Sequence, residues 1–401
     1  SLTAIAMGAR SLSTSAKGAT VRVGRRHSNR AAEAILALAG FSALAVLLTW
    51  PLAAKLGSAT FGPPGDSYGA IHWLWSLPGE GGLRLTGTSP VDLTGFPFGW
   101  ERSNGVNAQW LLIYGPAYFL STIVGPVAAY NLVVISGLAL SGAAMYWLAR
   151  YIGTSPMVAI WAGVVFTMFP WLIERAQYHG SLVHLEWFPV LVIAILAWRR
   201  RPDATRTTLV GGAMLLLWLT SGYYGLIGLL VAAVLILVAV ITESGTWGWL
   251  RGLRRAATAY ALALVAAALV FAMGLLGGRA GGGAAARGVE ELNTYGARWW
   301  EWLLPPGASR AFGTSTGPWL LERQHGPNTS ETGLYVGWIT IGLALGWVAW
   351  RIVRRHPISR ERRYLIVALP ALVAAGLLFS LPHPLSIAGV EIPSPAYLIY
   401  S

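Results

Sequence analysis

The 401-residue chain contains no cysteine and few charged residues. Without cysteine it has no disulfide framework, no thiolate metal site and no cysteine nucleophile. Charged residues make up 11% of the chain, against roughly 25% in an average soluble domain. Hydrophobic residues make up 55%, and the mean hydropathy is +0.56. This composition excludes a disordered chain and an ordinary soluble protein, and it favours a membrane protein.

Three short motifs with well-defined chemistry are also missing. The chain has no Gly-x-x-x-x-Gly-Lys loop, no Gly-x-Gly-x-x-Gly after a predicted strand and no His-Glu-x-x-His. Nucleotide-driven chemistry and that type of zinc hydrolysis therefore have no support. The net charge is +13, but in so hydrophobic a chain it does not indicate a nucleic-acid partner. The sequence favours the anionic lipids of a membrane instead.

Nine stretches of the chain are apolar and long enough to cross a membrane, which takes about 20 residues. They lie at about 33–52, 126–149, 155–173, 183–198, 207–221, 223–242, 256–278, 334–350 and 364–381. A further apolar stretch at 104–124 is interrupted by Asn104, Asn107 and Pro116. We expect this stretch to be a helix in the outer interface. The alternative is a tenth span.

The positions of the arginine clusters favour one of these two arrangements. If 104–124 does not cross, the clusters around Arg25, Arg150, Arg200, Arg254 and Arg355 all fall on one side, which is the cytoplasmic side by the positive-inside rule. We therefore predict an integral inner (plasma) membrane protein whose N-terminus is cytoplasmic.

This arrangement divides the chain into a disordered basic N-terminus, residues 1–30, and a transmembrane domain, residues 31–401. Two long outer loops are expected at about 53–125 and 279–333, and the first span is predicted to be an uncleaved anchor. The chain stops inside an apolar run at Ser401, so we expect it to be truncated at its C-terminus.

Polar chemistry is concentrated in the outer loops, because the central parts of the predicted spans contain no charged residue. Of the three aspartates in the chain, Asp66 follows Gly-Pro-Pro-Gly in the first outer loop. Two interpretations of Asp66 stay open. It is a carboxylate placed at the boundary between water and lipid, or it is the N-cap of the helix that follows.

Two later outer segments carry further candidates. The short segment 174–189 contains Arg175 and His179, which are suited to donate to a phosphate at headgroup level. Pairing with Glu174 at the membrane surface is the alternative for Arg175. The last outer loop contains Arg298, in a predicted amphipathic helix, and Glu331 at the mouth of a span. An acid that stabilises a helix N-terminus is the alternative for Glu331.

Several short pieces occur in a defined order along residues 40–401. They are Thr49-Trp-Pro51, Gly125-Pro-Val-Ala-Ala-Tyr-Asn131, Phe169-Pro170, Ser221-Gly-Tyr-Tyr224, Trp302-Leu-Leu-Pro-Pro306 and Ile392-Pro-Ser-Pro-Ala-Tyr-Leu398. Their order and spacing resemble the GT-C superfamily of polytopic membrane glycosyltransferases, in particular its bacterial, YfhO-like branches. The resemblance implies an all-α polytopic bundle of about nine transmembrane helices, with amphipathic helices in long extracytoplasmic loops.

The same resemblance implies a function in the cell envelope. The donor would be a sugar on a polyprenyl phosphate or pyrophosphate, and the acceptor a glycan, protein or lipid. The family's first-loop acid maps onto Asp66, which would be the catalytic base of an inverting transfer. Arg175, His179, Arg298 and Glu331 would contact the substrate and its phosphate. Asp66 and Glu331 would also be the ligands of a divalent ion, Mg²⁺ or Mn²⁺, if the enzyme uses one.

Two other functions are compatible with the same pattern. A lipid-linked sugar transporter or polymerase also has many spans and long outer loops. A non-catalytic subunit with the GT-C fold would keep the architecture and lack the transfer activity.

Overall fold

A computed structural model describes residues 31–63, 65–80, 89–91, 100–102, 111–243, 257–258, 261, 265, 288–307, 309, 311–326, 333–353, 359–387 and 389–397. The structure is mostly helical, at 76%. The predicted N-terminal segment 1–30, most of the predicted span 256–278 and Glu331 lie outside the described residues.

The helices follow one another with short connections. In chain order they are α1 (Ala31–Leu48), α2 (Asp66–Ser76), α3 (Leu111–Val124), α4 (Pro126–Tyr151), α5 (Pro156–Thr167), α6 (Pro170–Tyr178), α7 (Trp187–Arg200), α8 (Ala204–Thr220), α9 (Gly222–Glu243), α10 (Glu290–Thr294), α11 (Trp299–Leu303), α12 (Gly313–Leu321), α13 (Trp338–Val353) and α14 (Arg360–Ser380). Single 3₁₀ turns occur at Leu52–Lys55, Leu77–Glu80 and Gly180–Val183.

Two small antiparallel hairpins accompany the helices. Strand β1 (Ser89–Val91) pairs with β2 (Trp100–Arg102), and β3 (Leu385–Ile387) pairs with β4 (Val390–Ile392). Both hairpins are short, and the described part of the fold is otherwise built from helices.

Five helical segments of the described chain are long and apolar enough to cross a membrane: α1, α4, Gly180–Arg200, Gly222–Thr242 and Glu361–Ser380. The pair α5 and α6 meets the same criterion only as one bent unit. Helices α8 and α13 have 17 and 16 residues, somewhat short of the roughly 20 that a span requires. The structure is compatible with an all-α membrane protein.

The third predicted span has a break that the hydropathy pattern did not predict. Helix α5 ends at Thr167, and α6 begins at Pro170 at an angle of 46° to it. Proline favours the first position of a helix and cannot continue the helix before it, because it lacks the N–H and fixes φ. Residues 174–178, which we expected in an outer loop, are therefore the last residues of α6.

Helix α4 is the centre of the bundle and packs against α3, α5 and α7. Helices α4 and α5 approach closely at two glycines, since a Cβ on Gly163 would lie 2.7 Å from the Gly142 carbonyl oxygen. Small residues commonly allow such close packing of apolar helices. On the other side of the bundle, α9 packs between α8 and α14, and the buried Tyr364 hydroxyl donates to the Leu235 carbonyl at 3.0 Å.

Ion pairs gather at one end of the bundle. Glu33 at the start of α1 binds Arg150 at the end of α4 at 2.6 Å, and Arg200 at the end of α7 binds Glu361 at the start of α14 at 2.8 Å. Nearby in the chain, Asp203 caps α8 by accepting from the Arg206 N–H at 2.9 Å. This backbone hydrogen bond lowers the pKa of the Asp203 carboxyl below its ordinary value, and nearby arginines add to the effect.

Candidate functional site

The described residues bring two of the predicted site residues into direct contact. Asp66, the first residue of α2, and His179, directly after α6, are separated by 113 positions in the chain. The Asp66 Oδ2 atom lies 2.6 Å from the His179 Nδ1 atom. The side chain of Asp66 is 71% exposed and that of His179 is 22% exposed. A carboxylate held by an imidazole is therefore open to solvent at this position.

Of the two interpretations of Asp66, the capping one is wrong. The N-cap residue of α2 is Gly65, and no side chain caps the helix. The Asp66 carboxylate binds His179 instead of a backbone N–H of its own first turn. Its charge still lies in the first turn of α2, where it interacts favourably with the helix dipole.

The loop before α2 is fixed on α6 by a glycine. Gly62 has a φ of +96°, and a Cβ there would lie 2.5 Å from the Gln177 carbonyl oxygen. The backbone of this loop thus rests directly on the last turn of α6, two residues before His179. The contact explains how Asp66 reaches His179 although the two are far apart in sequence.

Helix α4 also contacts the segment that contains the Asp66–His179 pair. The Tyr130 hydroxyl accepts from the Gly180 N–H at 3.3 Å, and Tyr130 interacts electrostatically with Asp66. Tyr130 is near the start of α4, 20 positions before Arg150, so the rise of an α-helix separates them by about 30 Å. The Asp66–His179 pair and the ion pairs around Arg150 therefore lie at opposite ends of the bundle.

Glu174 and Arg175 lie on α6, a few residues before His179. Both side chains are buried, whereas the sequence suggested that they pair at the membrane surface. They are 7% and 5% exposed. The Arg175 guanidinium carbon lies 5.2 Å from the centroid of the Trp171 ring, in reach of a cation–π interaction. The Glu174 carboxylate fills the space that a Cβ would take at Gly333. The end of the second predicted outer loop thus packs directly on α6.

A second histidine–carboxylate pair follows His179 along the chain and is buried. His184 and Glu186 are each 7% exposed, and the His184 Nδ1 lies 2.9 Å from a Glu186 carboxylate oxygen. The His184 Nε2 lies 3.1 Å from the Val133 carbonyl oxygen in α4. Ser141 of α4 completes the network by accepting from the Leu185 N–H at 2.9 Å. Sequence reasoning missed this pair, because their two-residue spacing resembles no known site.

The Arg298 guanidinium makes its hydrogen bonds within its own loop segment. It donates to the Gly296 carbonyl at 2.9 Å and to the carbonyl and side chain of Asn293 at 3.1 and 2.9 Å. Burial lowers the pKa of the Arg298 guanidinium below its ordinary value, although arginine stays charged in proteins. Arg298 therefore stabilises its own loop segment, and its contact with the substrate phosphate stays a prediction.

The predicted metal ligands are only half described. Asp66 is described and Glu331 is not. Within the described ranges no three histidine, aspartate or glutamate side chains have the geometry to hold a metal ion. Asp66 and His179 alone offer too few ligands for a Mg²⁺ or Mn²⁺ site, so the divalent ion stays a prediction.

One motif in the last outer loop was overlooked in the sequence. Gly313-Thr-Ser-Thr-Gly317 has the Gly-x-Ser-x-Gly spacing of a nucleophile elbow. That elbow requires a sharp turn from a strand into a helix, whereas all five residues lie inside α12. The two glycines have a packing role, since Gly313 and Gly317 both lie against the backbone of Gly307. The spacing therefore does not indicate a serine nucleophile.

Comparison with known proteins gives a family without a described activity. Residues 118–398 match the family model described as a domain of unknown function, DUF6311. No curated protein matches the chain. The matched region contains Arg175 and His179, and Asp66 lies before it. Because the match covers well over half of the chain, the protein belongs to the DUF6311 family.

Proposed function

We propose that the protein is a GT-C-type membrane glycosyltransferase. It would transfer a sugar from a polyprenyl-phosphate-type donor to an extracytoplasmic acceptor, with inversion at the anomeric carbon. The observation that carries the proposal is the contact of 2.6 Å between the exposed Asp66 carboxylate and His179. An acid that is open to solvent, yet fixed by a second ionisable group, is a suitable general base.

In the proposed reaction Asp66 removes the proton from an acceptor hydroxyl. The acceptor oxygen forms a bond to the anomeric carbon from the face opposite the phosphate. The bond between the anomeric carbon and the phosphate oxygen breaks, and its electron pair leaves with the lipid phosphate. General-base assistance of this kind is typically worth about 10²–10⁴-fold in rate. His179 would keep the Asp66 carboxylate oriented.

The leaving phosphate requires positive charge or hydrogen-bond donors. Arg175 lies in the last turn of α6, and its carbonyl oxygen accepts from the His179 N–H at 2.8 Å. This placement supports a phosphate-stabilising role for both residues. Arg298 is less suited, because its guanidinium is already bound to Asn293 and Gly296. No step requires a divalent ion held by the described residues.

We also propose the nine-span arrangement, with the N-terminus in the cytoplasm and the Asp66–His179 pair outside. The contact between Glu33 and Arg150 supports it. In this arrangement Glu33 lies at the cytoplasmic end of α1. Because Arg150 at the end of α4 contacts Glu33, the end of α4 must lie on the cytoplasmic side as well. This works only if α3 does not cross between them. The described part of α3 has 14 residues, or about 21 Å, against a hydrocarbon core of about 30 Å.

The test is transfer from a panel of polyprenyl-phosphate monosaccharides to cell-envelope acceptors, measured with purified Asp66→Asn protein. We expect a loss of at least about 100-fold in rate with the fold unchanged, because asparagine cannot take the proton. Asp203→Asn is the matched control, since asparagine also caps helices well, and it should keep full activity.

Full activity of Asp66→Asn would overturn the role given to Asp66. Flux of a lipid-linked sugar without transfer would favour a transporter. A deletion phenotype that Asp66→Asn complements would favour a non-catalytic subunit. The same assay with a chelator and with Glu331→Gln decides the divalent ion: activity unaffected by both would remove it.

A further inference from the structure

A cavity of about 490 Å³ lies between α11 and α12, in the part of the chain that precedes α13. We call it the loop cavity. Trp300 and Glu301 of α11, Thr314 of α12 and the following Arg323 and Gln324 contribute to its walls. Its volume is within the roughly 300–1,000 Å³ of sites that bind small molecules. Its lining combines apolar side chains with a few polar groups, as such sites usually do.

Part of the cavity wall is formed by backbone alone. Gly307 packs against Gly313 and Gly317, and a Cβ on Gly307 would lie 3.3 Å from the Cα of Gly317. These glycines let the connection between α11 and α12 lie directly on α12, and they put no side chain into the cavity. The cavity is therefore part of the folded loop and does not need a ligand to open it.

The deepest polar group in the cavity is Glu301, whose side chain is 4% exposed. One of its oxygens accepts from the Arg298 N–H at 2.8 Å, and the other lies 2.7 Å from the His325 Nε2. The His325 Nδ1 lies 2.8 Å from the Thr294 carbonyl oxygen, so Nδ1 must carry a hydrogen. A proton must then lie between Nε2 and the carboxylate. The pair as a whole is neutral, and it places a fixed hydrogen-bond acceptor in the wall.

The other lining groups complement a ligand with many hydroxyls. Trp300 is half-buried and packs edge-to-face on Trp319, with ring centroids 5.8 Å apart. Thr314, Arg323 and Gln324 are exposed at the cavity mouth. An apolar lipid would give no hydrogen bond to Glu301, Thr314, Arg323 or Gln324 and would cover these polar groups, which costs free energy. A sugar ring offers C–H groups to the indole and hydroxyl donors to the carboxylate.

The cavity is close to the Asp66–His179 pair. Gly333 lines the cavity and packs against the carboxylate of Glu174 in α6. His179 follows Glu174 by five residues and lies directly after the end of α6. A ligand that extends from the cavity along α6 would therefore bring a hydroxyl group toward Asp66.

We propose that the loop cavity binds a saccharide and that this saccharide is the acceptor of the transfer. The acceptor role of the saccharide rests on the proposed function, whereas the binding of a saccharide in the loop cavity does not. The acceptor would therefore be a glycan, rather than a protein side chain or a lipid. Its ring would stack on Trp300, and its hydroxyls would bind Glu301 and Gln324.

The experiment measures sugar binding by the full chain in lipid nanodiscs, because common maltoside and glucoside detergents would compete for the site. The probes are the methyl glycosides of glucose, galactose, mannose and N-acetylglucosamine, followed by saturation-transfer NMR and tryptophan fluorescence. We expect at least one probe to bind, and Trp300→Ala and Gln324→Ala each to weaken its Kd by about tenfold or more. Trp299→Ala is the matched control, because Trp299 is 64% exposed and does not line the cavity.

Two variants keep the test independent of folding defects. Gln324 is exposed, so its truncation should not disturb the fold even if Trp300→Ala does. Thr314→Trp should fill the cavity from an exposed helix position and abolish binding. If none of the probes binds, or if Trp300→Ala, Gln324→Ala and Thr314→Trp all bind like the unmodified chain, the inference is overturned.

Asp66→Asn separates the two proposals. We expect this variant to bind the probe sugar with unchanged Kd and to lose transfer. Loss of sugar binding in Asp66→Asn would contradict a separate loop site. Sugar binding without any transfer by the unmodified protein would contradict the proposed function and leave the saccharide site in place.

Discussion

At the scale of single residues, the buried pair of His184 and Glu186 has the clearest energetic consequence. The Val133 carbonyl can only accept, so His184 must donate from Nε2, and a proton must lie between Nδ1 and the Glu186 carboxylate. We expect Glu186→Ala to lower the free energy of unfolding by about 3–5 kcal/mol, because removing one partner of a buried pair leaves the other uncompensated. Thermal unfolding in detergent or nanodiscs measures the change.

Glu186→Gln should keep most of that stability, since its amide can donate to Nδ1 while His184 is neutral. Glu322→Ala is the exposed control, with a side chain that is 74% exposed, and surface substitutions usually change stability by less than about 0.5 kcal/mol. If Glu186→Ala unfolds like the unmodified chain, the pair does not stabilise the bundle. If Glu186→Gln is as unstable as Glu186→Ala, the carboxylate itself is required.

At the scale of secondary-structure elements, the loop before α2 and the end of α6 behave as one unit. Gly62 combines a φ of +96° with a close approach to the Gln177 carbonyl oxygen. We expect Gly62→Ala to separate the loop from α6 and to reduce transfer by at least about tenfold, because a Cβ is disfavoured at this φ and has no space. Limited proteolysis of residues 56–65 should become faster, while the unfolding temperature of the bundle changes little.

Gly65→Ala is the control for this prediction. Gly65 has an extended φ of 177°, and among the described residues no atom lies within 4 Å of the position that its Cβ would take, so alanine should be tolerated there. Equal activity in Gly62→Ala and Gly65→Ala would show that the docking of the loop does not position Asp66.

The same elements show what the sequence could predict. The span expected at 126–149 is helix α4 (Pro126–Tyr151), because a long apolar run with proline at its start defines a helix locally. The break before Pro170 was missed, because hydropathy averages over it. The resemblance placed Asp66 and His179 at one site, but the sequence could not predict their direct contact. It depends on the docking of Gly62 on Gln177, and nothing in a local pattern reports a tertiary contact.

At the scale of the whole molecule, the arginine clusters of the sequence and the ion pairs of the fold both distinguish one end of the bundle from the other. The arginine clusters that indicated a cytoplasmic face contain Arg150 and Arg200, and both are paired at one end of the bundle with acids of other helices. The candidate site is at the other end of the bundle. Hydropathy predicted nine spans, whereas five helical segments of the described chain are long and apolar enough to cross a membrane. The ion pairs add the relative directions of α1, α4, α7 and α14.

The absence of native cysteine makes these directions directly testable. Single cysteines in the chain can be labelled with a membrane-impermeant maleimide, and the unmodified protein is the blank. We expect Tyr68→Cys, at a side chain that is 55% exposed, to react in intact cells. Arg201→Cys, at a side chain that is 77% exposed, should react only after the membrane is permeabilised.

These two positions lie on either side of α3, so the pair of labels also tests whether α3 crosses the membrane. If the stretch 104–124 were a tenth span, everything after it would invert and both cysteines would react in intact cells. If the orientation were reversed as a whole, Arg201→Cys would react and Tyr68→Cys would not. Only the expected pattern places Asp66 and His179 on the outer side, where a polyprenyl-linked sugar and a glycan acceptor could meet.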